Sequence, residues 1–491
     1  MTTKQPNIVL ITADQWRGDC LGCVRPERRR HPVMTPHLNQ IAAEGVRFTQ
    51  AYADCPVCMP QRVTTLTGQV ASRFGLPHNF GVRSPVDRTT SLPARLAREA
   101  GYQTKAVGKM HFSPGRARMG FEHIALHPND YVIWLEDTPY AGTYRGHGLG
   151  GNEVYPAVAP TPERFTHTHW IVDQAIRFLV ERDPECPFFL WIIFESPHSP
   201  FDPPAPYDRM YDNFTIPDPL YGDWAEGPDY PPAFTARRLS GKYEQLNPEM
   251  LRETRRRYYG QISYIDYQLG RFFGELKTRQ MYDDTAIIFD ADHGEHLGDH
   301  GIFGKTTFLN GSGDVPLVMR VPDWVPLAHS SLEIDTPTLT ADLHPTILDL
   351  AGLEPQGQAQ DGRSLLPGLA SGENEARTIY GEYGHGSGTA FATDGQHKYV
   401  YYAQGGVEHL FDAIDDPENL TNLAHLNSLE KKKKTLRNGL IRYLEHFERP
   451  MVQDSKLVAA GAELDEYALR GRNPCAWRGP MRYGQGYGGG W

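Results

Sequence analysis

The chain alternates short apolar runs with longer amphipathic stretches. Residues 7–13, 188–194 and 286–291 are apolar, rich in β-branched and aromatic side chains, and too short for typical helices. Such runs read as strands buried on both faces, the pattern of a parallel sheet. Residues 46–53, 103–107 and 315–321 read as further strands. Residues 35–45 open on Thr35-Pro36 and stop at Gly45, a well-punctuated helix. Residues 59–67, 91–100, 164–181, 248–280 and 342–351 also read as helices. This alternation predicts an α/β fold, a large mixed, mostly parallel sheet sandwiched by helices.

The pattern changes after a Gly-, Gln- and Glu-rich stretch at 355–377. Residues 378–381, 389–393 and 398–402 read as short antiparallel strands, and 426–447 as a helix with a solvated face of lysines at 431–434. The expected organisation is an α/β domain over 1–370, a smaller α+β subdomain with a short antiparallel sheet over 371–450, and a tail over 451–491. That tail is Gly-rich at its end and either lies disordered or packs on another subunit. Residues 202–247, rich in Pro, Tyr and Asp, read as a long loop. With the 113–163 stretch, including Trp134, Tyr140 and His147, it is expected to line a pocket.

Polar residues gather where the strands end. Asp14 and Gln15 follow the first strand, and Lys109 and His111 follow the strand at 103–107. Glu195 and His198 follow the run at 188–194, and Asp292, His293, Glu295, His296 and Asp299 follow the run at 286–291, with Lys305 beyond. In open α/β sheets that edge binds ligands. A carboxylate and an amide are hard donors suited to Ca²⁺ or Mg²⁺, although a lone Asp there also suits a cap. A lysine beside a histidine suits oxyanion stabilisation with proton transfer, or equally a solvated lysine beside a packed histidine.

One stretch adds sharper chemistry. Cys55-Pro56-Val57-Cys58-Met59-Pro60-Gln61-Arg62 leads into Leu66-Thr67-Gly68. Proline fits a first helical turn, which places Cys58 just ahead of a short helix. A group there meets free N–H donors and the positive dipole end, and Arg62, one turn on, adds a cation. The bland alternative is a buried structural thiol.

Composition narrows the partners. The net charge of −11 argues against a nucleic-acid binder. No apolar run approaches the roughly 20 residues that span a membrane, and no apolar leader precedes the first strand, so the expected location is cytoplasmic. Two of the six cysteines' intervals, Cys20/Cys23 and Cys55/Cys58, are C-x-x-C pairs. They raise a rival reading, a non-catalytic zinc-binding module, weakened by the long interval between the pairs.

The C-x-P-x-R-x-x-x-L-T-G pattern from Cys58 to Gly68 resembles the signature of the formylglycine-dependent sulfatase family, in the alkaline-phosphatase-like superfamily. The segments 7–15, 108–112, 198–204 and 292–305 are similar to the family's other motifs in the same order, and 409–423 looks like its C-terminal subdomain. The resemblance implies a sulfuric ester hydrolase that converts a small-molecule sulfate ester to alcohol and inorganic sulfate. Cys58 would be converted to formylglycine by a maturation enzyme. Asp14, Gln15, Asp292 and His293, together with residue 58 itself, would hold one divalent cation, with Ca²⁺ expected first and Mn²⁺ or Mg²⁺ as options. Arg62 would hold the aldehyde hydrate, and Lys109 and Lys305 would bind sulfate oxygens. His111 would help release sulfate, and His198 would support protonation of the leaving alcohol. A homo-oligomer is expected.

Gln15 and His293 depart from the commoner acid and asparagine of the family, and a softer ligand set favours Mn²⁺ as an option. A glutamine after the first aspartate also occurs in choline sulfatases and in phosphonate monoester hydrolases. The latter keep an active-site asparagine where Asn79 stands, but lack the lysine and histidine present here at 109 and 111. The enzyme alternative is thus a phosphonate monoester hydrolase or phosphodiesterase, with Asn79 as a substrate contact.

Overall fold

The apolar runs form the middle of one sheet. The computed structural model describes residues 4–461, apart from 27, 28, 80, 241, 242, 244, 245, 355–359 and 374. Its first strands are β1 (Asn7–Asp14), β2 (Val46–Phe48), β3 (Ala51–Tyr52), β4 (Gln103–Gly108) and β5 (His123–Leu126). Then come β6 (Phe188–Pro197), β7 (Thr285–Ala291), β8 (Leu317–Arg320), β9 (Leu332–Ile334) and β10 (Thr338–Leu339). Eight of these pair in the order β5-β4-β6-β1-β7-β8-β2-β9. From β5 to β7 every neighbouring pair is parallel, whereas β8 runs antiparallel to both β7 and β2. The sheet is therefore mixed and mostly parallel, as the sequence pattern predicts. Nearly every residue of β1, β6 and β7 is buried, which explains their unbroken apolarity.

Helices Leu92–Ala100, His167–Glu181 and Pro248–Thr278 pack on the sheet. The last is a single helix of 31 residues. No described helix is long and apolar enough to cross a membrane.

The second sheet holds β11 (Ile379–Tyr383), β12 (Thr389–Thr393), β13 (His397–Tyr402) and β14 (Val407–Asp412), all antiparallel in that order. Leu436, Leu440 and Leu444 of helix Glu430–His446 pack on Ala390, Ala392, Tyr399 and Tyr401. This subdomain buttresses the segment around Cys58. Glu382 of β11 accepts from Ser72 at 2.9 Å and pairs with Arg449 at 2.8 Å, and its N–H donates to the Asp54 carbonyl.

Some local expectations shift. The strand expected at 46–53 is two short strands in different sheets, β2 and β3. Part of the 202–247 loop is helical, at Pro232–Ser240. The short strands β5, β9 and β10 carry no readable period. Met451, Val452 and Leu457 join the core of the second sheet, so 451–461 packs on its own chain. Residues 462–491 of the expected tail lie outside the described residues.

Candidate active site

Four neighbouring parallel strands, β4, β6, β1 and β7, end along one edge. They deliver Lys109, Glu195, Asp14 and Asp292 to one place. Gly108 closes β4 with φ +106°, where a Cβ would collide with the Ile193 carbonyl, so only glycine lets Lys109 turn off the strand. Gln15 (φ +72°) and His111 (φ +54°) also adopt the left-handed region, a strain of about 1–3 kcal/mol each that clusters at functional positions.

Helix Cys58–Thr67 starts one residue earlier than expected, at Cys58 itself, after extended Val57. It is buried throughout and stops at left-handed Gly68, whose N–H donates to the Thr64 carbonyl. The Met59 N–H donates to Asn79 Oδ1 at 3.0 Å. Asn79 therefore touches the centre through the start of this helix.

Cys58 Sγ lies 3.2 Å from His293 Nε2, 3.3 Å from Lys305 Nζ and 3.7 Å from Asp14 Oδ1. Asp14, Cys58, Asp292 and His293 present ligand atoms within 4.8 Å of one another. Arg62, fully buried, donates through Nη2 to Asp14 Oδ2 at 2.9 Å and to Asp292 Oδ2 at 2.8 Å, and through Nη1 to the Lys109 carbonyl. Lys109 Nζ pairs with Asp14 Oδ2 at 2.7 Å. The Oδ2 atoms are thus closed by cations. The Oδ1 atoms instead face His293 Nε2 at 3.4 and 3.5 Å, too far for a good hydrogen bond. Among the described residues, that of Asp292 accepts only the Gln15 N–H, at 3.2 Å.

Gln15 donates its amide to Glu295 and accepts from Lys305 at 2.9 Å. Lys305 also reaches His198 Nε2 at 2.7 Å, and His198 Nδ1 lies 2.9 Å from the Ser199 carbonyl. These partners assign the proton of His198 to Nδ1, leaving Nε2 as the acceptor. His111 Nδ1 is buried without a described partner, and the ring lies within hydrogen-bonding reach of Cys58.

Burial and Asp14 push the Cys58 thiol up, but Lys305, His293 and His111 outweigh them and hold it well below an ordinary thiol. Burial works against ionised Asp14, yet Lys109, His198, Arg62 and Lys305 hold it well below the usual carboxylate range. Burial and the neighbouring Asp14 push Asp292 up. Burial, Lys305 and Lys109 push His198 down to about 3, so it is neutral at working pH.

The structure brings together every sequence-derived site residue except Asn79, which acts one contact away. Sequence reasoning missed the surroundings of Glu195. Arg145 Nη2 pairs with its Oε1 at 3.0 Å, Tyr144 donates to its Oε2 at 3.2 Å, and Lys109 stands 3.8 Å away. A pocket beside the centre is lined by Tyr131, Tyr144, Arg145, His167, Asp202 and His198, among others. Of the expected pocket residues, His147 pairs with Asp202 at 2.9 Å, while Trp134 stacks on Phe165 and Tyr140 packs against the same ring at a tilt of 43°. The four-cysteine zinc site does not form. Among the described residues, Cys58 and Cys20 fall in different donor clusters and no cluster holds two cysteines.

Comparison with known proteins identifies the family. A profile of the sulfatase family matches residues 6–353, and one described as N-sulphoglucosamine sulphohydrolase, C-terminal, matches 298–446. The chain is 32% identical over 489 residues to an arylsulfatase of Clostridium perfringens, covering 92% of this chain and 97% of that protein. It is 32% identical over 450 residues to a choline-sulfatase of Rhizobium meliloti, covering 86% and 83%. The crystal structure of the phosphonate monoester hydrolase of Agrobacterium radiobacter superposes with a TM-score of 0.75 at 29% identity, covering 90% of this chain and 95% of that one. The chain belongs to the sulfatase family, the sulfate-ester hydrolases of the alkaline-phosphatase-like superfamily.

Proposed function

We propose that sulfate esters are cleaved here at residue 58, matured from cysteine to formylglycine, beside one divalent cation. The observation that carries this reading is the set of open ligand atoms around Cys58 Sγ. Asp14 Oδ1, Asp292 Oδ1 and His293 Nε2 face one another at 3.4 to 3.5 Å and, among the described residues, meet besides only Cys58 Sγ and the Gln15 N–H, while Arg62 holds the other oxygens. Two buried carboxylates and the Gln15 amide oxygen are hard donors that suit Ca²⁺ or Mg²⁺, while the His293 imidazole brings in Mn²⁺ as an alternative. Gln15 would join them by giving up its bond from Lys305. When bound, the ion supplies Lewis-acid neutralisation of the sulfate oxygens. The formylglycine hydrate supplies one hydroxyl to attack sulfur and a second whose deprotonation releases sulfate and restores the aldehyde.

The remaining work falls to this chain's own groups. Arg62 fixes both aspartates in place. Lys109 and Lys305 offset the charge of the sulfate oxygens in a site with little water. Neutral His198 accepts from Lys305 through Nε2 while its Nδ1–H is held by the Ser199 carbonyl, so the proton given to the leaving alcohol comes from Lys305 itself, with His198 supporting the step by orienting that ammonium. His111, with a buried ring nitrogen left open, takes the proton of the second hydroxyl.

The second reading, phosphonate monoester or phosphodiester hydrolysis on the same centre, is favoured by the likeness to the Agrobacterium structure. Both substrates offer a tetrahedral monoanion. The test is protein made with a maturation enzyme, the mass of the peptide carrying residue 58, and turnover of an aryl sulfate against an aryl phosphonate. An aldehyde with faster sulfate turnover is expected. Aldehyde-bearing protein that turns over the phosphonate and spares the sulfate would replace the first reading by the second. Activity in protein whose residue 58 is wholly thiol would overturn the nucleophile.

A further inference from the structure

A second set of metal-type donors stands beside the centre. His127 follows β5, His167 opens helix His167–Glu181, and Glu195 lies near the end of β6. Their ligand atoms lie within 4.8 Å of one another, although they come from three separate elements. We propose that His127, His167 and Glu195 form a transition-metal site, separate from the one at Cys58, that takes zinc or a similar borderline divalent ion.

Three observations support it. First, the His127 side chain is fully buried, and both its ring nitrogens lack a hydrogen-bond partner among the described residues. Its nearest acceptor, Glu195 Oε2, is 3.5 Å from Nε2, beyond a normal hydrogen bond. His167 Nδ1 is buried and unpartnered as well. Buried polar atoms almost always find partners, and one ion would engage a nitrogen on each ring. Second, the two oxygens of Glu195 are divided. Arg145 takes Oε1 at 3.0 Å and Lys109 faces the same oxygen at 3.8 Å, whereas Oε2 turns to His127 and the Tyr144 hydroxyl. The cations that would oppose a metal thus occupy the far oxygen. Third, the rings of His127 and His167 stand 4.6 Å apart between centroids, tilted by 38°, so both imidazoles border the same small space.

Two imidazoles and a carboxylate suit zinc, and three protein ligands leave a coordination position open. His167 and Glu195 also line the pocket that holds His198. The open position therefore adjoins the space available to the alcohol part of a substrate. None of this site's three ligands belongs to the set around Cys58, although Glu195 Oε1 also faces Lys109 at 3.8 Å, and its metal binding is tested independently of the reading above.

The test is titration of the full chain, in excess calcium, with Co²⁺ followed by visible absorbance and with Zn²⁺ followed by calorimetry. A Co²⁺ spectrum with visible d–d bands and no near-ultraviolet thiolate band is expected. His167→Ala should weaken binding about 100-fold or more, since even indirect supports of a ligand are worth 10–100-fold. His167 is half-buried at a helix start, and circular dichroism checks folding. Should the alanine variant unfold, His167→Gln keeps a polar side chain and should lose the same binding. Absence of Co²⁺ and Zn²⁺ binding beyond what the Cys58 site takes up, or binding untouched by either variant, would each overturn the proposal.

Discussion

Two buried charge clusters lie close together in this protein, and each combines two aspartates with three basic side chains. In one, Asp14 and Asp292 meet Arg62, Lys109 and Lys305 around Cys58. In the other, Asp299 meets Arg17 at 3.0 Å, Arg30 at 2.8 Å and Arg255 at 2.7 Å, and Asp19 holds Arg17 at 2.7 Å. The composition is the same, but the geometry is not. Both Asp299 oxygens are closed by guanidinium donors, and Oδ1 also accepts the Leu220 N–H at 3.0 Å. At Cys58 each aspartate keeps one oxygen turned toward other ligand atoms at 3.4 to 3.5 Å. A cluster whose charges close on each other resists change. One whose free atoms converge on a thiol is built to receive something.

The largest expected effect breaks the open cluster. Cys58→Ala should remove turnover, on the order of 10⁶-fold in kcat, the scale reached when a covalent nucleophile is lost. Its unfolding midpoint should stay near the parent's, because Lys305 keeps its bonds to Gln15 and His198 when its contact with Sγ is lost. A variant that keeps substantial aryl sulfate turnover would remove residue 58 from the chemistry and end the contrast between the two clusters.

A smaller effect, and one of the opposite kind, comes from the closed cluster. Asp299→Asn leaves the buried guanidinium groups of Arg17 and Arg255, and the partly exposed one of Arg30, short of their counter-charge, and breaking such a buried pair costs about 3–5 kcal/mol of stability. Denaturant unfolding should show that loss, while kcat of the folded enzyme at low temperature changes by a few-fold at most. Destabilisation under about 1 kcal/mol would mean that Asp19 and backbone carbonyls such as those of Glu295, His296 and Leu297 suffice to hold these arginines.

The two clusters also differ in how far the sequence announces them. Strands buried on both faces must be apolar, so the first polar residue after each run marks the ligand edge. Asp14, Lys109, Glu195 and Asp292 are readable for that reason. Arg62 and Lys305 are readable through spacing and family resemblance. The stretch 292–301 reads as one acidic and imidazole cluster, but the structure divides it. Asp292 and His293 turn to Cys58, Glu295 binds Gln15 and the backbone of Leu297 and Gly304, and Asp299 joins the arginines. Leu297, Gly298 and His300 all take positive φ, and those reversals decide which way each side chain points. No period in the sequence encodes them. His127 and His167 are illegible for a related reason. They lie 40 residues apart, after a four-residue strand and at a helix start, and only tertiary packing brings them to Glu195.

The finest test of the contrast is its pH dependence. Burial works against the ionised form of Asp299, but Arg17, Arg255 and Arg30 outweigh it and hold the carboxyl well below its ordinary value. The unfolded chain then binds a proton that the folded chain refuses. Stability from this group is complete above the ordinary aspartate range, near pH 4, and is lost as pH falls through the lower folded value. The arginines stay charged throughout, and the other acid-titrating neighbours, Asp19, His31 and His300, are present in both proteins, so the difference between parent and variant reports chiefly on the Asp299 carboxyl. The stability gap between the parent and Asp299→Asn should therefore be constant from neutral pH down to about 5 and narrow progressively below about 4, where protonation makes the parent resemble the variant. A gap that stays constant down to acid pH would mean that the asparagine's shape and hydrogen bonding, rather than the missing charge, account for the loss. The closed cluster would then be held by geometry alone, and the counting of opposite charges that makes the two clusters look alike would carry no weight for either.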